Sequence, residues 1–302
     1  MNEIKGNLQK EGAEMPMKTI QAPESLKEAW FCKDNYPEDS LWLSGTTWLR
    51  TQWEAGQLND AKQWIRLDRI PELNQGIRLT EDELRISSMT TFAELEEDER
   101  IKEKAPILSQ AIKQIAAPSI REQATIGGNI ATGIGDSLPA LIALDAHISY
   151  DDHLKRRELL LTEWLQEGCP GLIVELILPK TEENYSLTFY EKTGRREAFI
   201  PSAVTVAISG RLNKKSGTFS HIRAAAAGGT MKPVRLNQLE QSLMAVPLLE
   251  RKEYRLLQEQ IIKDYSPPED PFLSKSYKQR VASNLIIQNI HSYIEGDHDA
   301  AE

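Results

Sequence analysis

The feature that most constrains the fold is a pair of adjacent glycines in Ala124-Thr-Ile-Gly-Gly-Asn-Ile-Ala131. Because glycine has no Cβ, the backbone here can pass very close to another group. Thr125 and Asn129 supply short-range hydrogen bonds, and successive backbone N–H groups in such a loop can cradle phosphates. The apolar run at 138–145 predicts a helix behind the loop. The segment predicts a nucleotide-binding loop, and a purely structural Gly-Gly turn is the alternative.

Composition and charge exclude several classes of protein. No apolar run approaches the roughly 20 residues of a membrane span, and Met1–Lys18 contains no apolar signal region. We therefore expect no membrane partner and a cytoplasmic location. The net charge of −9 disfavours nucleic acid as a partner. The two cysteines, Cys32 and Cys169, cannot supply the four thiolates of an iron–sulfur cluster, so any such cluster must lie on a partner chain.

The order of predicted elements indicates a mixed fold. The first part alternates strands and helices, and the last part has three strands followed by two or three helices. This order predicts a fold of class α/β plus α+β, with the α/β part first. The predicted elements are a helix after Pro23, strand 41–43, helix 48–53, strand 63–67, a hairpin around 81–82, helices 91–104 and 105–117, helix 138–145, strands 146–151, 172–179, 186–190, 203–209 and 221–227, and a last helix at 274–293.

Two further strings have residue types suited to a nucleotide. Leu43-Ser-Gly-Thr-Thr47 lies between a predicted strand and a predicted helix, which is a geometry that points N–H groups at an anion. A polar turn with a helix cap is the alternative there. Phe189-Tyr-Glu-Lys-Thr-Gly-Arg-Arg196 places cations that could lie beside a flavin or an anionic nucleotide. A solvated basic turn is the alternative for this second string. The glycine pair does not match the G-x-G-x-x-G pattern, so the sequence does not support a Rossmann unit.

Together, these three strings resemble the flavin-binding medium subunit of molybdenum hydroxylases, a family that includes xanthine dehydrogenase and carbon monoxide dehydrogenase. The resemblance covers roughly residues 17–295 and also includes segments 222–236 and 276–282. It implies a two-part FAD-binding domain of the vanillyl-alcohol-oxidase/PCMH type, followed by a C-terminal antiparallel sheet with helices. The expected boundaries are a disordered lead at 1–16, an FAD-binding domain at 17–182 with subdomains of about 17–70 and 71–182, and a C-terminal α+β domain at 183–302.

The same resemblance implies which residues contact FAD. Two segments hold the pyrophosphate and ribityl groups, an aspartate follows the second segment, a strand residue lies on the adenine side, and a lysine borders the flavin. These residues are Leu43, Ser44, Gly45, Thr46, Thr47, Thr125, Ile126, Gly127, Gly128, Asn129, Asp136, Ile173 and Lys192. Ser44 stands where a glycine is usual, and the spacer from Asn129 to Asp136 is shorter than usual. No residue of this chain is expected to be catalytic or to bind a metal.

The implied function is electron transfer within an oxidoreductase. A large subunit with the molybdenum cofactor hydroxylates the substrate, iron–sulfur clusters on a small subunit carry the electrons, and FAD on this chain passes them to NAD. Xanthine dehydrogenase and purine catabolism are the expected setting, in a heterotrimer or a dimer of heterotrimers. Carbon monoxide, aldehyde and N-heterocycle dehydrogenases share such a subunit and stay open. A non-catalytic assembly protein that keeps the fold and has lost FAD is the alternative from another class.

Overall fold

The fold is described from a computed structural model, which covers residues 19–58, 61–180, 185–194, 202–213, 216, 218–245, 247 and 251–299. Three predictions fall partly or wholly outside these residues. They are the disordered lead at 1–16, most of the predicted boundary loop at 180–184, and the two arginines that end the string at 189–196.

The N-terminal layer is a small parallel sheet with two helices. It consists of β1 (Thr19–Gln21), α1 (Leu26–Asn35), β2 (Ser40–Leu43), α2 (Thr47–Glu54) and β3 (Gln63–Arg66), with strand order β1-β3-β2. Ser25 starts α1 because its side chain accepts the N–H of Glu28. No sequence pattern predicts β1, because its three residues are all exposed and show no alternation.

The second layer is a five-stranded antiparallel sheet with order β4-β5-β8-β6-β7. Its strands are β4 (Ile77–Leu79), β5 (Glu83–Ser87), β6 (His147–Asp151), β7 (Arg156–Leu160) and β8 (Leu172–Pro179). The predicted hairpin between β4 and β5 is confirmed. No sequence pattern predicts β7, in which only the last two residues are partly buried. Leu172 and Val174 of β8 pack against the N-terminal layer, so the two layers share a core.

Seven helices lie among these strands in the described part of the chain: α3 (Phe92–Glu97), α4 (Glu99–Lys104), α5 (Pro106–Gln114), α6 (Pro118–Arg121), α7 (Ile126–Ala131), α8 (Leu138–Ile142) and α9 (Leu161–Gln166). The predicted helix at 91–104 is two helices because Asp98 ends α3 and caps α4. The predicted helix at 138–145 ends at Ile142, and Asp145 has a positive φ of 50°.

The C-terminal layer is a four-stranded antiparallel sheet covered by helices. The strands are β9 (Leu187–Thr193), β10 (Val204–Asn213), β11 (Thr218–Gly228) and β12 (Met231–Arg235), and the helices are α10 (Asn237–Ala245), α11 (Arg251–Asp264) and α12 (Lys275–Asp299). Three strands were predicted here. The fourth, β12, contains Pro233 and lies at the sheet edge, which is where proline is tolerated in a strand. The mixed fold class is confirmed.

No helix among the described residues combines the length and the apolar character needed to cross a membrane. Within the same ranges, no group of three or more histidine, cysteine, aspartate or glutamate side chains could hold a metal ion.

A buried lysine at the start of α12 forms an ion pair with Asp270 in the segment before the helix. The Lys278 side chain is 1% exposed, and its Nζ lies 2.6 Å from Asp270 Oδ2. The hydrogen bond from Lys278, assisted by the backbone N–H of Phe272, lowers the pKa of Asp270 from 3.8 to about 2. A carboxyl group whose pKa is lowered by folding stabilises the folded state above its unfolded pKa and loses that contribution as pH falls through the folded value.

We therefore expect Asp270→Asn to lower the thermal unfolding midpoint at neutral pH. The difference in unfolding midpoint between the variant and the unmodified chain should narrow as pH falls from about 4 to about 2, where Asp270 itself becomes protonated. Unfolding midpoints measured across this range test the prediction. Glu99→Gln is the control, because Glu99 forms a pair with Lys102 and is 76% exposed. A difference in midpoint that stays constant down to the lowest pH would contradict a stabilising role of the Asp270 carboxylate.

Candidate functional site

The first predicted segment, 43–47, joins β2 to α2 and leaves backbone donors available. Thr46 is exposed and has a φ of 56°, which is rare for a β-branched residue. It precedes the helical Thr47, and a left-handed residue followed by a helical one forms a concave nest of N–H groups. No hydrogen bond from the backbone N–H groups of residues 44–47 is present within the described part of the chain. The nest can therefore receive an anion.

The second predicted segment is not a loop but the start of the short helix α7. Thr125 is its N-cap, and its side chain accepts the N–H of Gly128 at 3.1 Å. The N–H groups of Ile126 and Gly127 donate to backbone oxygens of Thr90 and Ser88, both at 2.9 Å. The N–H groups at the start of α7 are thus already paired inside the protein. The expected phosphate cradle of free N–H groups is not present at this segment.

The glycine at position 127 is required by packing against the neighbouring chain segment. A Cβ at Gly127 would lie 2.5 Å from the Cβ of Ser88 and 2.6 Å from its carbonyl oxygen. Ser88 in turn donates its N–H to Val174 of β8 at 2.9 Å. The glycine therefore allows α7 to lie against the sheet. It was expected instead to let the backbone approach a ligand.

The two predicted segments touch each other. Ser44 Oγ and Thr125 Oγ1 are 2.5 Å apart and hydrogen bonded, and Ser44 Oγ also contacts Met89 Sδ at 3.2 Å. A Cβ at Gly45 would lie 1.9 Å from the backbone oxygen of Gln123. Ser44, which stands where a glycine is usual, therefore connects the first segment to Thr125, the cap of α7.

Asp136 and Lys192 are predicted separately and form an ion pair in the structure. Lys192 Nζ lies 2.9 Å from Asp136 Oδ2, and both side chains are 21% exposed. Ser202 Oγ donates to the same carboxylate oxygen at 2.9 Å. Tyr190 OH donates to the Asp136 backbone oxygen at 2.8 Å. Burial, followed by the charge of Asp136, raises the pKa of Tyr190 well above 10, so this hydroxyl remains a donor.

The remaining predicted residues have mainly structural contacts. Asn129 Oδ1 accepts the hydroxyl of Ser137 at 2.6 Å, and the Asn129 backbone oxygen accepts that of Thr132 at 2.7 Å. These bonds hold the turn that leads to Asp136. Ile173 is 6% exposed in β8, beside the strand segment that contacts Ser88. Partly exposed Gly128 and Asn129 are the members of the second segment that reach the surface.

Sequence reasoning missed Ser202 and the contacts of Ser88 and Met89. No local pattern marks these residues, because each acquires its partner only when distant segments meet. Two features of this region could bind a ligand. One is the anion-binding nest at 44–47, and the other is the ion pair between Asp136, which follows α7, and Lys192 in β9. Such groups suit a ligand that carries both phosphates and hydroxyls.

Comparison with known proteins identifies the first half of the chain. A family model described as "FAD binding domain in molybdopterin dehydrogenase" matches residues 15–181. The xanthine dehydrogenase FAD-binding subunit of Escherichia coli O157:H7 is 29% identical over 232 residues, which cover 73% of this chain and 77% of that protein. The carbon monoxide dehydrogenase medium chain of Hydrogenophaga pseudoflava is 30% identical over 220 residues, which cover 70% of this chain and 74% of that protein.

A solved structure extends the likeness to nearly the whole chain. A chain of the carbon monoxide dehydrogenase from Hydrogenophaga pseudoflava that lacks the Mo-pyranopterin moiety superposes with a TM-score of 0.81 and 25% identity. The match covers 92% of this chain and 97% of that one.

Proposed function

Because the chain belongs to the family of FAD-binding domains in molybdopterin dehydrogenases, we propose that it works as the FAD-carrying electron-transfer subunit of a xanthine dehydrogenase. In this proposal, electrons come from iron–sulfur clusters on a small partner subunit and leave to NAD. A large partner subunit with the molybdenum cofactor oxidises the substrate. The three chains form a cytoplasmic heterotrimer or a dimer of heterotrimers.

The observation that carries the proposal is the nest at residues 44–47, whose backbone N–H groups make no hydrogen bond to any other described residue. We propose that it binds the FAD pyrophosphate and that Thr125–Asn129, the cap and first turn of α7, supports it from behind. Asp136 and Lys192 are assigned to cofactor hydroxyls and to the flavin edge, and Ile173 to the adenine side. Bound FAD supplies a centre that accepts and releases electrons, and the residues named here hold it.

We also propose the domain boundaries that the resemblance implies. The FAD-binding domain spans 17–182, with subdomains of about 17–70 and 71–182, and the C-terminal domain spans 183–302. The core between the four-stranded sheet and α10–α12 lies wholly within 183–302, which supports the division. The core around the five-stranded sheet and its helices is built mostly from 71–182, and Tyr190, Ala207 and Ala225 of the C-terminal sheet pack into it.

The first test is the visible spectrum of the full chain, purified with its partner subunits and alone. We expect flavin absorption bands and release of FAD on denaturation. A colourless chain that takes up no added FAD would contradict the proposal and favour an assembly protein without flavin. With the holoenzyme, reduction of NAD by xanthine, compared with carbon monoxide as substrate, tests the finer assignment to xanthine dehydrogenase.

A pair of helix-capping residues tests the position of the site. Thr125→Val removes the hydrogen bonds to Ser44 and Gly128, and we expect FAD to bind about tenfold more weakly. Ser25→Ala is the control, since the Ser25 side chain caps α1 by accepting the N–H of Glu28. Both variants should lose about 1 kcal/mol of stability, but only Thr125→Val should change the dissociation constant for FAD. Equal loss of FAD affinity in both variants would place the site elsewhere.

A further inference from the structure

We propose that Ser202 is a positioning residue for the cofactor, acting through the orientation of the Asp136 carboxylate. This inference rests on the proposed function, because it assigns Asp136 to a hydroxyl of FAD. Ser202 itself carries no charge and does not belong to any of the three strings that indicate flavin binding. Its position in the structure, two residues before β10, places its hydroxyl beside Asp136.

Both protein donors reach the same oxygen of Asp136. Lys192 Nζ and Ser202 Oγ each lie 2.9 Å from Oδ2. Within the described residues, no side chain or backbone donor hydrogen bonds to Oδ1. A carboxylate has acceptor sites on both oxygens, and with respect to the described part of the chain the second oxygen keeps its capacity to accept a ligand hydroxyl. Two donors on one oxygen fix the rotation of the carboxylate and therefore the direction of the other oxygen.

Ser202 is itself held from its other side. It is 3% exposed, and its backbone oxygen accepts the N–H of Gly229, in the turn between β11 and β12, at 2.7 Å. The next residue, Ala203, donates its N–H to Thr193 at 2.8 Å, which ties Ser202 to the end of β9. Lys192 lies one residue before Thr193, so one donor to Asp136 is in β9 and the other is in the segment that leads into its neighbour β10.

The Asp136 side of this contact is equally constrained. The backbone oxygen of Asp136 accepts the buried Tyr190 hydroxyl, and the next residue, Ser137, is bonded to Asn129. Asp136 thus has little freedom in its backbone, and the rotation of its carboxylate is the degree of freedom that Ser202 and Lys192 set together. A hydrogen bond to a charged group is stronger than one between neutral groups, so loss of the Ser202 hydroxyl should change the orientation of the carboxylate.

The test compares two serine substitutions in the same strand region of the full chain. Ser202→Ala removes the donor to Asp136, and we expect the dissociation constant for FAD to rise about tenfold. Ser209→Ala is the matched control, because Ser209 is fully buried in β10 and its hydroxyl bonds to the Ala143 backbone oxygen instead. That variant should lose stability, measured by thermal unfolding, without a change in FAD affinity.

A double substitution separates positioning from a general structural effect. If Ser202 acts through Asp136, Ser202→Ala should have no further effect on FAD affinity in a chain that already carries Asp136→Ala, because the group that Ser202 orients is then absent. An equal tenfold loss in that background, or unchanged affinity for Ser202→Ala alone, would overturn the inference while the proposed function stands. Failure of the unmodified chain to bind FAD would overturn both, so the two failures are distinguishable.

Discussion

Replacing Gly45 with alanine is expected to weaken FAD binding on the order of a hundredfold. The added Cβ would lie 1.9 Å from the backbone oxygen of Gln123 and 2.8 Å from its carbonyl carbon. Backbone atoms cannot move aside as a flexible side chain can, so the segment at 43–47 would have to separate from the cap of α7. Overpacking of this kind costs roughly 3 kcal/mol, and each 1.4 kcal/mol corresponds to a factor of ten in affinity.

The separation would also break the hydrogen bond between Ser44 and Thr125, which joins the two segments. The measurement is FAD titration by fluorescence, together with thermal unfolding of the same variant without FAD. Gly56→Ala is the control. Gly56 follows α2, has a φ of 67° and has no atom within 4 Å of an added Cβ among the described residues.

Gly56→Ala should therefore cost about 1 kcal/mol through backbone strain and leave FAD affinity unchanged. If Gly45→Ala retained FAD at full affinity, the contact between the two segments would have no part in the site.

The largest expected effect on stability comes from Asp145. Its carboxylate lies 2.6 Å from Arg223 Nε and 2.8 Å from Arg235 Nη1. Arg235 also pairs with Glu240 at 2.9 Å, and Glu240 is 5% exposed on its side chain and accepts the N–H of Ala224. This network connects the segment before β6, in the five-stranded sheet, to β11, β12 and α10 of the C-terminal layer.

We expect Asp145→Ala to lower the free energy of unfolding by about 3 kcal/mol. It leaves two partly buried arginines without their shared carboxylate, and it places alanine at a φ of 50°, which aspartate tolerates better. Asp145→Asn separates these causes, because asparagine also tolerates a positive φ but lacks the charge. It should show the electrostatic part of the loss alone.

Urea unfolding of the full chain measures both losses. Glu54→Gln is the control, since the pair of Glu54 with Arg50 is 61% and 77% exposed and should contribute little. A loss for Asp145→Ala as small as that of the control would show that the network does not stabilise the contact between this segment and the C-terminal layer.

Much of the fold could be predicted from the sequence because its signals are local. Buried strands such as β8 have continuous apolar runs, and helices such as α1 begin at capping residues. The elements that were missed lack such signals: β1 is exposed, and β12 is interrupted by proline. The glycine pair indicated a close backbone approach correctly, but the neighbour is Ser88 of the same chain.

The sequence by itself determined the family, the mixed fold class and the segments from which the candidate site is built, because these follow from short strings read in order. The tertiary structure alone decided how those segments meet. It joined Asp136 to Lys192 and Ser202, Ser44 to Thr125, and Asp145 to two arginines. The physical reason is that each of these contacts joins segments that are far apart in the chain, and the packing of helices and strands brings together residues that no local pattern connects.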